Sequence, residues 1–125
     1  MVVVAFPVPR EVAFDYLADP RRRPEWQSSL ARVEDVDGEP RVGQTWTDIT
    51  RPGLRPRMET TELDRPHHWT ERGTWRGITA TMTLDLVATT SGCDVTATFQ
   101  IARPLRALAL RAVRTDLRRA SRLLA

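Results

Sequence analysis

From Ile78 to Ile101, apolar and polar residues alternate with a period of two. Ile78, Ala80, Met82, Leu84 and Leu86 interleave with Thr79, Thr81, Thr83 and Asp85; Val95, Ala97, Phe99 and Ile101 interleave with Asp94, Thr96, Thr98 and Gln100. A strand with one dry face and one wet face produces this pattern. Thr89, Thr90, Ser91 and Gly92 supply turn chemistry between the two arms. Setting Leu86 opposite Val95 places Leu84 by Ala97, Met82 by Phe99 and Ala80 by Ile101, so a single antiparallel register satisfies every apolar pair. The apolar face of this hairpin needs a cover.

From Leu105 onward the period lengthens to that of a helix, and Pro104 suits a first helical position because it gives up an amide that would lack a partner there. Leu105, Ala109, Leu110, Ala112, Val113, Leu117, Ala120, Leu123 and Leu124 fall on one side of the wheel, and Arg111, Arg114, Arg118, Arg119 and Arg122 on the other. This amphipathic helix is the expected cover.

The remaining pattern predicts a short first strand within Met1 to Phe6 and a helix opened by Pro9 with Val12, Ala13, Tyr16 and Leu17 on its apolar stripe, ended by Asp19-Pro20. A second short helix is predicted over Arg21 to Leu30, with Pro24 near its first turn and the Arg21-Arg22-Arg23 run read as a solvated patch in the connection. Strands follow at Arg32 to Val36, Gln44 to Thr50, Arg57 to Leu63 and His68 to Trp75. They are separated by Asp37-Gly38, Arg51-Pro52-Gly53, Asp64-Arg65-Pro66 and Arg76-Gly77. A strand, two short helices, a meander of five or six antiparallel strands and one long helix read as α+β with the helices on one face of the sheet.

At 125 residues, with no linker or change in composition, residues 1–125 are read as one domain. All 19 basic residues are arginine, which reflects a GC-rich coding sequence before it reflects function. The last 23 residues hold seven arginines against one acid, Asp116, whereas the rest holds 12 arginines against 15 acids. A basic helix of this kind suits an acidic phospholipid surface or simply the wet side of a cover; nucleic acid is not expected as a partner. Cys93 is the single cysteine and has no disulfide partner within the chain, which fits a reducing cytoplasm. The apolar start lacks a basic leader and is broken by Pro7 and Pro9, so it reads neither as a signal peptide nor as a membrane span.

Three stretches carry a resemblance to a known superfamily: Pro9 to Pro20 (PREVAFDYLADP) running on to Trp26, Val42-Gly43-Gln44-Thr45-Trp46, and Thr61-Glu62-Leu63-Asp64-Arg65-Pro66 before a strand. On these the chain resembles the START-like, helix-grip superfamily (SRPBCC type) of polyketide cyclases, plant ligand-binding allergens and lipid-transfer domains, over nearly its whole length. The resemblance implies a six- to seven-stranded curved antiparallel sheet wrapped around the C-terminal helix, with a ligand between them. It specifies a scaffold and leaves the activity to the side chains lining the cavity.

If Arg76-Gly77 is a two-residue turn, Trp75 faces Ile78, Gly73 faces Ala80, Glu71 faces Met82 and Trp69 faces Leu84, and Glu71 points inward. A slip of one residue turns Glu71 outward instead. Inward, the carboxyl loses hydration and its pKa rises, the condition for a general acid or base near neutrality. Asp48 shares strand parity with Trp46 and is the second acid candidate, unless it pairs with an arginine at the rim. Met58, Thr60 and Glu62 form a further inward set if Met58 is buried. His67 and His68 point to opposite faces of a strand and have no further ligands at metal spacing, so they read as solvated residues of the turn after Pro66, one of them able to line the cavity. No nucleophile elbow, P-loop or dinucleotide fingerprint is present, no metal or cofactor is called for, and Cys93 reads as a small core residue.

The expected function is binding of a small hydrophobic or aromatic molecule, with the chain acting as carrier or sensor and as a monomer or homodimer. Trp46, Met58, Trp69, Glu71, Trp75, Met82, Leu84, Phe99, Leu110, Val113 and Leu117 are the expected ligand contacts. One alternative is an enzyme of the polyketide cyclase or dehydratase type with Glu71 or Asp48 moving a proton; the other is a peripheral membrane or interaction module acting through the arginine face.

Overall fold

Tight turns between alternating stretches bring each strand back alongside its predecessor. The computed structural model describes residues 1–125 and shows β1 (Val2–Phe6), α1 (Arg10–Leu17), a 3-10 turn (Pro20–Arg22) leading into α2 (Arg23–Trp26), β2 (Leu30–Glu34), β3 (Thr45–Thr50), β4 (Arg57–Asp64), β5 (His68–Trp75), β6 (Ile78–Thr89), β7 (Gly92–Gln100) and α3 (Arg103–Leu124). The seven strands form one curved antiparallel sheet in the order β1-β7-β6-β5-β4-β3-β2, with α3 against it: the helix-grip arrangement. β2 to β7 run as a meander, and β1 closes the far edge by pairing with β7, Val2 opposite Ala97 through Phe6 opposite Cys93.

Arg76 and Gly77 have φ of 48° and 80°, the doubly positive geometry of a two-residue hairpin turn whose twist matches the strands beside it. The turn sets Trp75 against Ile78, Gly73 against Ala80, Glu71 against Met82 and Trp69 against Leu84, so Glu71 faces inward. In the next hairpin Leu86 faces Val95, Leu84 faces Ala97 and Met82 faces Phe99, but the ladder stops at Thr81 opposite Gln100, so Ala80 and Ile101 do not pair with each other. The chain must leave the sheet there, since α3 starts at Arg103 with Pro104 in its first turn. At the other end both strands run further than the pattern suggests, to Thr89 and from Gly92, and only Thr90 and Ser91 make the turn.

Two further departures have local causes. β2 spans Leu30–Glu34 rather than Arg32 to Val36 because Asp35 takes up a left-handed φ of 54° and ends it. β4 carries a bulge between Thr60 and Glu62; Met58 and Thr60 face the core opposite Gly73 and Glu71, but Glu62 then lies opposite Thr70 on the outer face. The expectation of Met58, Thr60 and Glu62 on one side therefore fails at Glu62.

The core lies between the inner face of the sheet and the helices. Phe6, Leu17, Trp26, Trp46, Trp69, Leu84, Val95 and Leu117 are fully buried there, and Cys93 packs among them as a small apolar residue. α3 rests on β1, β7 and α2 through Val113, Asp116, Leu117 and Ala120. Its first half stands clear of the sheet: Leu105 is 45% exposed, Leu108 62%, and at the far end Leu123 54%, so Leu105 and Leu123 do not cover the sheet as the wheel suggests. No helix is long and apolar enough to cross a membrane.

Gly92 is where β1 passes closest to the β6–β7 turn: a Cβ there would stand 2.0 Å from the Phe6 carbonyl oxygen and 2.9 Å from the Val8 nitrogen. Both neighbours are backbone and can yield only by displacing β1. Gly92→Ala is expected to destabilise the protein by about 1–3 kcal/mol in urea titration, whereas Thr90→Ala in the exposed turn before it stays within about 0.5 kcal/mol; equal midpoints for the two would show that β1 does not need this approach.

Candidate functional site

Asp19 caps the turn before α2 by accepting from the Arg21 backbone N–H at 3.0 Å, and Pro24 lies in the first turn of α2 itself. Arg23 and Trp26 stand three residues apart, so one helical turn sends both to the same side, into the core. Arg23 is 3% exposed and Trp26 1%. The Arg23 guanidinium stacks on Trp26 at 5.0 Å and Trp69 at 5.3 Å from the ring centroids. Its two terminal nitrogens clamp both carboxylate oxygens of Glu71, Nη1 donating to Oε2 at 2.9 Å and Nη2 to Oε1. Burial opposes the charge on Arg23, but the Glu71 carboxylate outweighs it and holds Arg23 above its ordinary pKa.

Glu71 of this pair stands in the walls of two hollows. The front one, about 260 Å³, lies over β3 to β7 and is walled by Leu30, Asp48, Met58, Trp75, Ile78 and Ala80 among others. The rear one, about 150 Å³, lies under α3 and is walled by Arg23, Trp26, Ser29, Ala109, Ala112, Val113 and Asp116. Gln27, Glu71, Met82 and Phe99 belong to both walls. The front hollow alone falls just short of the roughly 300–1,000 Å³ typical of ligand pockets. Its mouth lies by the β5–β6 turn, where Ile78 is 50% exposed.

Asp48 is buried and accepts from the Trp46 indole at 3.0 Å through Oδ1. It is not at a rim pairing with an arginine. Burial pushes its pKa up to about 6; attraction to Arg23 and the indole bond restrain the rise, and repulsion from Glu71 adds to it. Asp116, the one acid of α3, is also buried; it accepts through Oδ1 from the Ser28 N–H at 3.3 Å and hydroxyl at 3.2 Å. Burial raises its pKa and the Ser28 bonds oppose the rise.

Of the expected contacts, Met58, Glu71, Trp75, Met82 and Phe99 line the front hollow, and Val113 lines the rear one. Trp46, Trp69, Leu84 and Leu117 face the right way but are sealed in the core, and Leu110 packs partly buried against it; none of the five borders either hollow. Parity tells which face a residue is on, not whether a neighbour covers it. Arg23 is the main residue missed, because a run of three arginines reads as a solvated patch. The legible signal was its spacing from Trp26. Asp116 was legible too, as the acid at helical spacing among Val113, Leu117 and Ala120.

The histidines correct another expectation. His68 is not in a turn: it opens β5 on the outer face, Nδ1 2.6 Å from Asp85 and Nε2 2.9 Å from Glu62. The bonds to Glu62 and then Asp85 raise its pKa. His67 is exposed, 3.1 Å from Arg10 Nη1. Neither histidine lines a hollow.

Compared with known families, residues 2–125 match the profile described as polyketide cyclase / dehydrase and lipid transport. The chain belongs to this family. Solved structures of similar fold include protein MLL2253 from Mesorhizobium loti, at TM-score 0.79 and 17% identity over 98% of this chain and 93% of that one. Protein BH1534 of Bacillus halodurans superposes at TM-score 0.78 and 13% identity, over 99% and 94%. DynU16, from the dynemicin biosynthetic locus, gives TM-score 0.78 and 16% identity over 98% of this chain and 45% of its own. At these identities the likeness is one of fold. None of the curated proteins matches the chain. Within this polyketide cyclase and lipid-transport family, the site is thus defined by its own residues: a buried Arg–Glu pair between two hollows, with a separate carboxyl on the front wall.

Removing one partner of a buried pair strands the other's charge, so Glu71→Gln is expected to cost about 3–5 kcal/mol in urea titration. The double variant Arg23→Met/Glu71→Leu should regain most of that loss; a double variant as unstable as the single one would show that packing, not charge pairing, sets the cost. Asp48 holds its proton more tightly folded than unfolded, so stability should fall as pH rises from about 4 to about 6. The span is at most about 3 kcal/mol, from roughly two pK steps at 1.36 kcal/mol each. His68, also raised, adds a stabilisation present below its ordinary 6.5 and lost as pH climbs through its folded value. Thermal melts from pH 4 to 9 should show Asp48→Asn flattening the lower window and His68→Gln the upper.

Proposed function

We propose that this protein binds a small apolar or aromatic molecule in the front hollow, as a carrier or sensor. The observation that carries the reading is the hollow's wall: Leu30, Met58, Trp75, Ile78, Ala80, Met82 and Phe99 supply apolar surface, and Gln27, Asp48 and Glu71 supply the few polar groups that orient a ligand. Apolar surface shielded from water by a ligand favours binding by about 25 cal/mol per Å². The exposed Ile78 beside the half-buried Trp75 marks the entrance. The family description, which joins lipid transport with cyclase and dehydrase chemistry, supports a bound organic molecule in either case.

One observation favours an enzyme as the second reading. Glu71 has both oxygens taken by Arg23, but Asp48 stands on the same wall with a pKa near 6, so it exchanges a proton close to neutrality. A poised carboxyl beside a folded polyketide-like chain is the requirement for proton transfer in a cyclase or dehydratase.

N-phenyl-1-naphthylamine, a neutral probe that brightens in apolar surroundings, is expected to bind the wild type. Ala80→Trp, which fills the hollow, should weaken it at least tenfold with the circular dichroism unchanged; undiminished binding by that variant would remove the hollow as the site. Asp48→Asn separates the two readings: a carrier keeps its probe affinity and has no turnover to lose, whereas an enzyme keeps affinity and loses conversion of an aromatic β-polyketone.

A further inference from the structure

Asp48 is 4% exposed, and only one of its two oxygens has a partner: Oδ1 accepts the Trp46 indole N–H. Oδ2 accepts no hydrogen bond from the protein. It is also not sealed off, unlike Arg23 Nε, Trp26 Nε1 and Gln44 Oε1, the unpartnered side-chain atoms that the core closes to water. Asp48 lines the front hollow, so that oxygen opens into it. A buried carboxylate oxygen without a donor is costly, and here the donor has to come from whatever fills the hollow. The wall of the hollow carries two carboxyls, Asp48 and Glu71, and no basic side chain. Arg23 does not border it and gives both terminal nitrogens to Glu71. Asp48 is therefore the charge left without a bonded counter-ion.

We propose that the front hollow selects a ligand carrying a protonated amine, of the arylalkylamine class, which donates to Asp48 Oδ2 while its apolar body lies against Trp75, Met82 and Phe99. The inference rests on the binding reading above and names the ligand's chemistry. Charge decides for a cation. Loss of water and repulsion from Glu71 both work against the Asp48 carboxylate, and an ammonium group beside Oδ2 relieves the two together. Trp75 and Phe99 in the same wall carry aromatic rings, which attract cations as well. A carboxylate or phosphate would instead meet two like charges in a site poor in water. A pure hydrocarbon covers the apolar wall but leaves Oδ2 bare.

Three probes of one shape test this: 2-(aminomethyl)naphthalene, 2-(hydroxymethyl)naphthalene and 2-ethylnaphthalene, titrated by calorimetry into the full chain. Asp48→Asn keeps the side chain's shape and its acceptor for Trp46 but removes the charge. It is expected to weaken the amine at least about tenfold and the hydrocarbon less than about twofold, as loss of one charge-assisted bond requires. An equal loss for both probes, or no loss for the amine, overturns the assignment. Tighter binding of the alcohol than of the amine by the wild type overturns the cation in favour of a neutral donor. Binding of the hydrocarbon without the amine overturns the amine and leaves the apolar hollow standing, and binding of none of the three overturns both the assignment and the reading it rests on. The wild type gives a second measurement should Asp48→Asn not fold. Asp48 titrates at about 6 and the amine keeps its proton, so amine affinity should fall about tenfold from about pH 7.5 to about pH 5 with 2-ethylnaphthalene unmoved. A flat profile for the amine overturns the assignment, and so does the same fall in Asp48→Asn, where Arg23 and Glu71 are the charged groups left beside the site.

Discussion

The buried bond between Arg23 and Glu71 is the constraint on which the rest of this site depends. Taking two opposite charges out of water is expensive, and the mutual attraction repays it only with close geometry and the remaining polar atoms satisfied. Here the geometry is an end-on clamp of both carboxylate oxygens, with the guanidinium faces covered by Trp26 and Trp69. A pair of this kind contributes little net stability compared with an apolar pair of the same volume, so its value lies in position. It ties α2 to the middle of the sheet and fixes the Glu71 carboxyl in the wall that the two hollows share.

The pair in turn depends on a turn of two residues. Because side chains on a strand alternate, the positive φ angles at Arg76 and Gly77 decide which way every residue of β5 points. One residue more in that turn would put Glu71 in solvent and leave Arg23 as an unpaired charge in the core. The bulge in β4 works the same way in reverse: it takes Glu62 out to the surface, where it bonds His68 and Thr70, while keeping Thr60 inside. A few backbone dihedrals thus sort three acidic side chains, sending Glu71 inward and Glu62 and Asp85 outward.

α3 divides its labour along its length. The second half seals β1, β7 and α2 with Val113, Leu117 and Ala120, and the first half stands over open space with Leu105 and Leu108 in solvent. Full contact along the whole helix would collapse the rear hollow. Asp116 falls at the join of the two halves and ties the helix to Ser28, fixing its height above the sheet with hydrogen bonds rather than with a tightly packed apolar seam.

Periodicity alone determined the α+β class, the meander, the β6–β7 register from Leu86 to Met82 and the long amphipathic helix, because burial of one face is written residue by residue along each element. The inward sides of Met58, Met82 and Phe99 were legible for the same reason. Tertiary structure alone decided three things: that Arg23 leaves an arginine run to meet Glu71, 48 residues away, that Trp46 and Trp69 are sealed in the core while Trp75 lines the hollow, and that half of α3 stays uncovered. Each of these depends on which neighbour arrives from a distant part of the chain, and alternation along a single strand or helix carries no record of that neighbour.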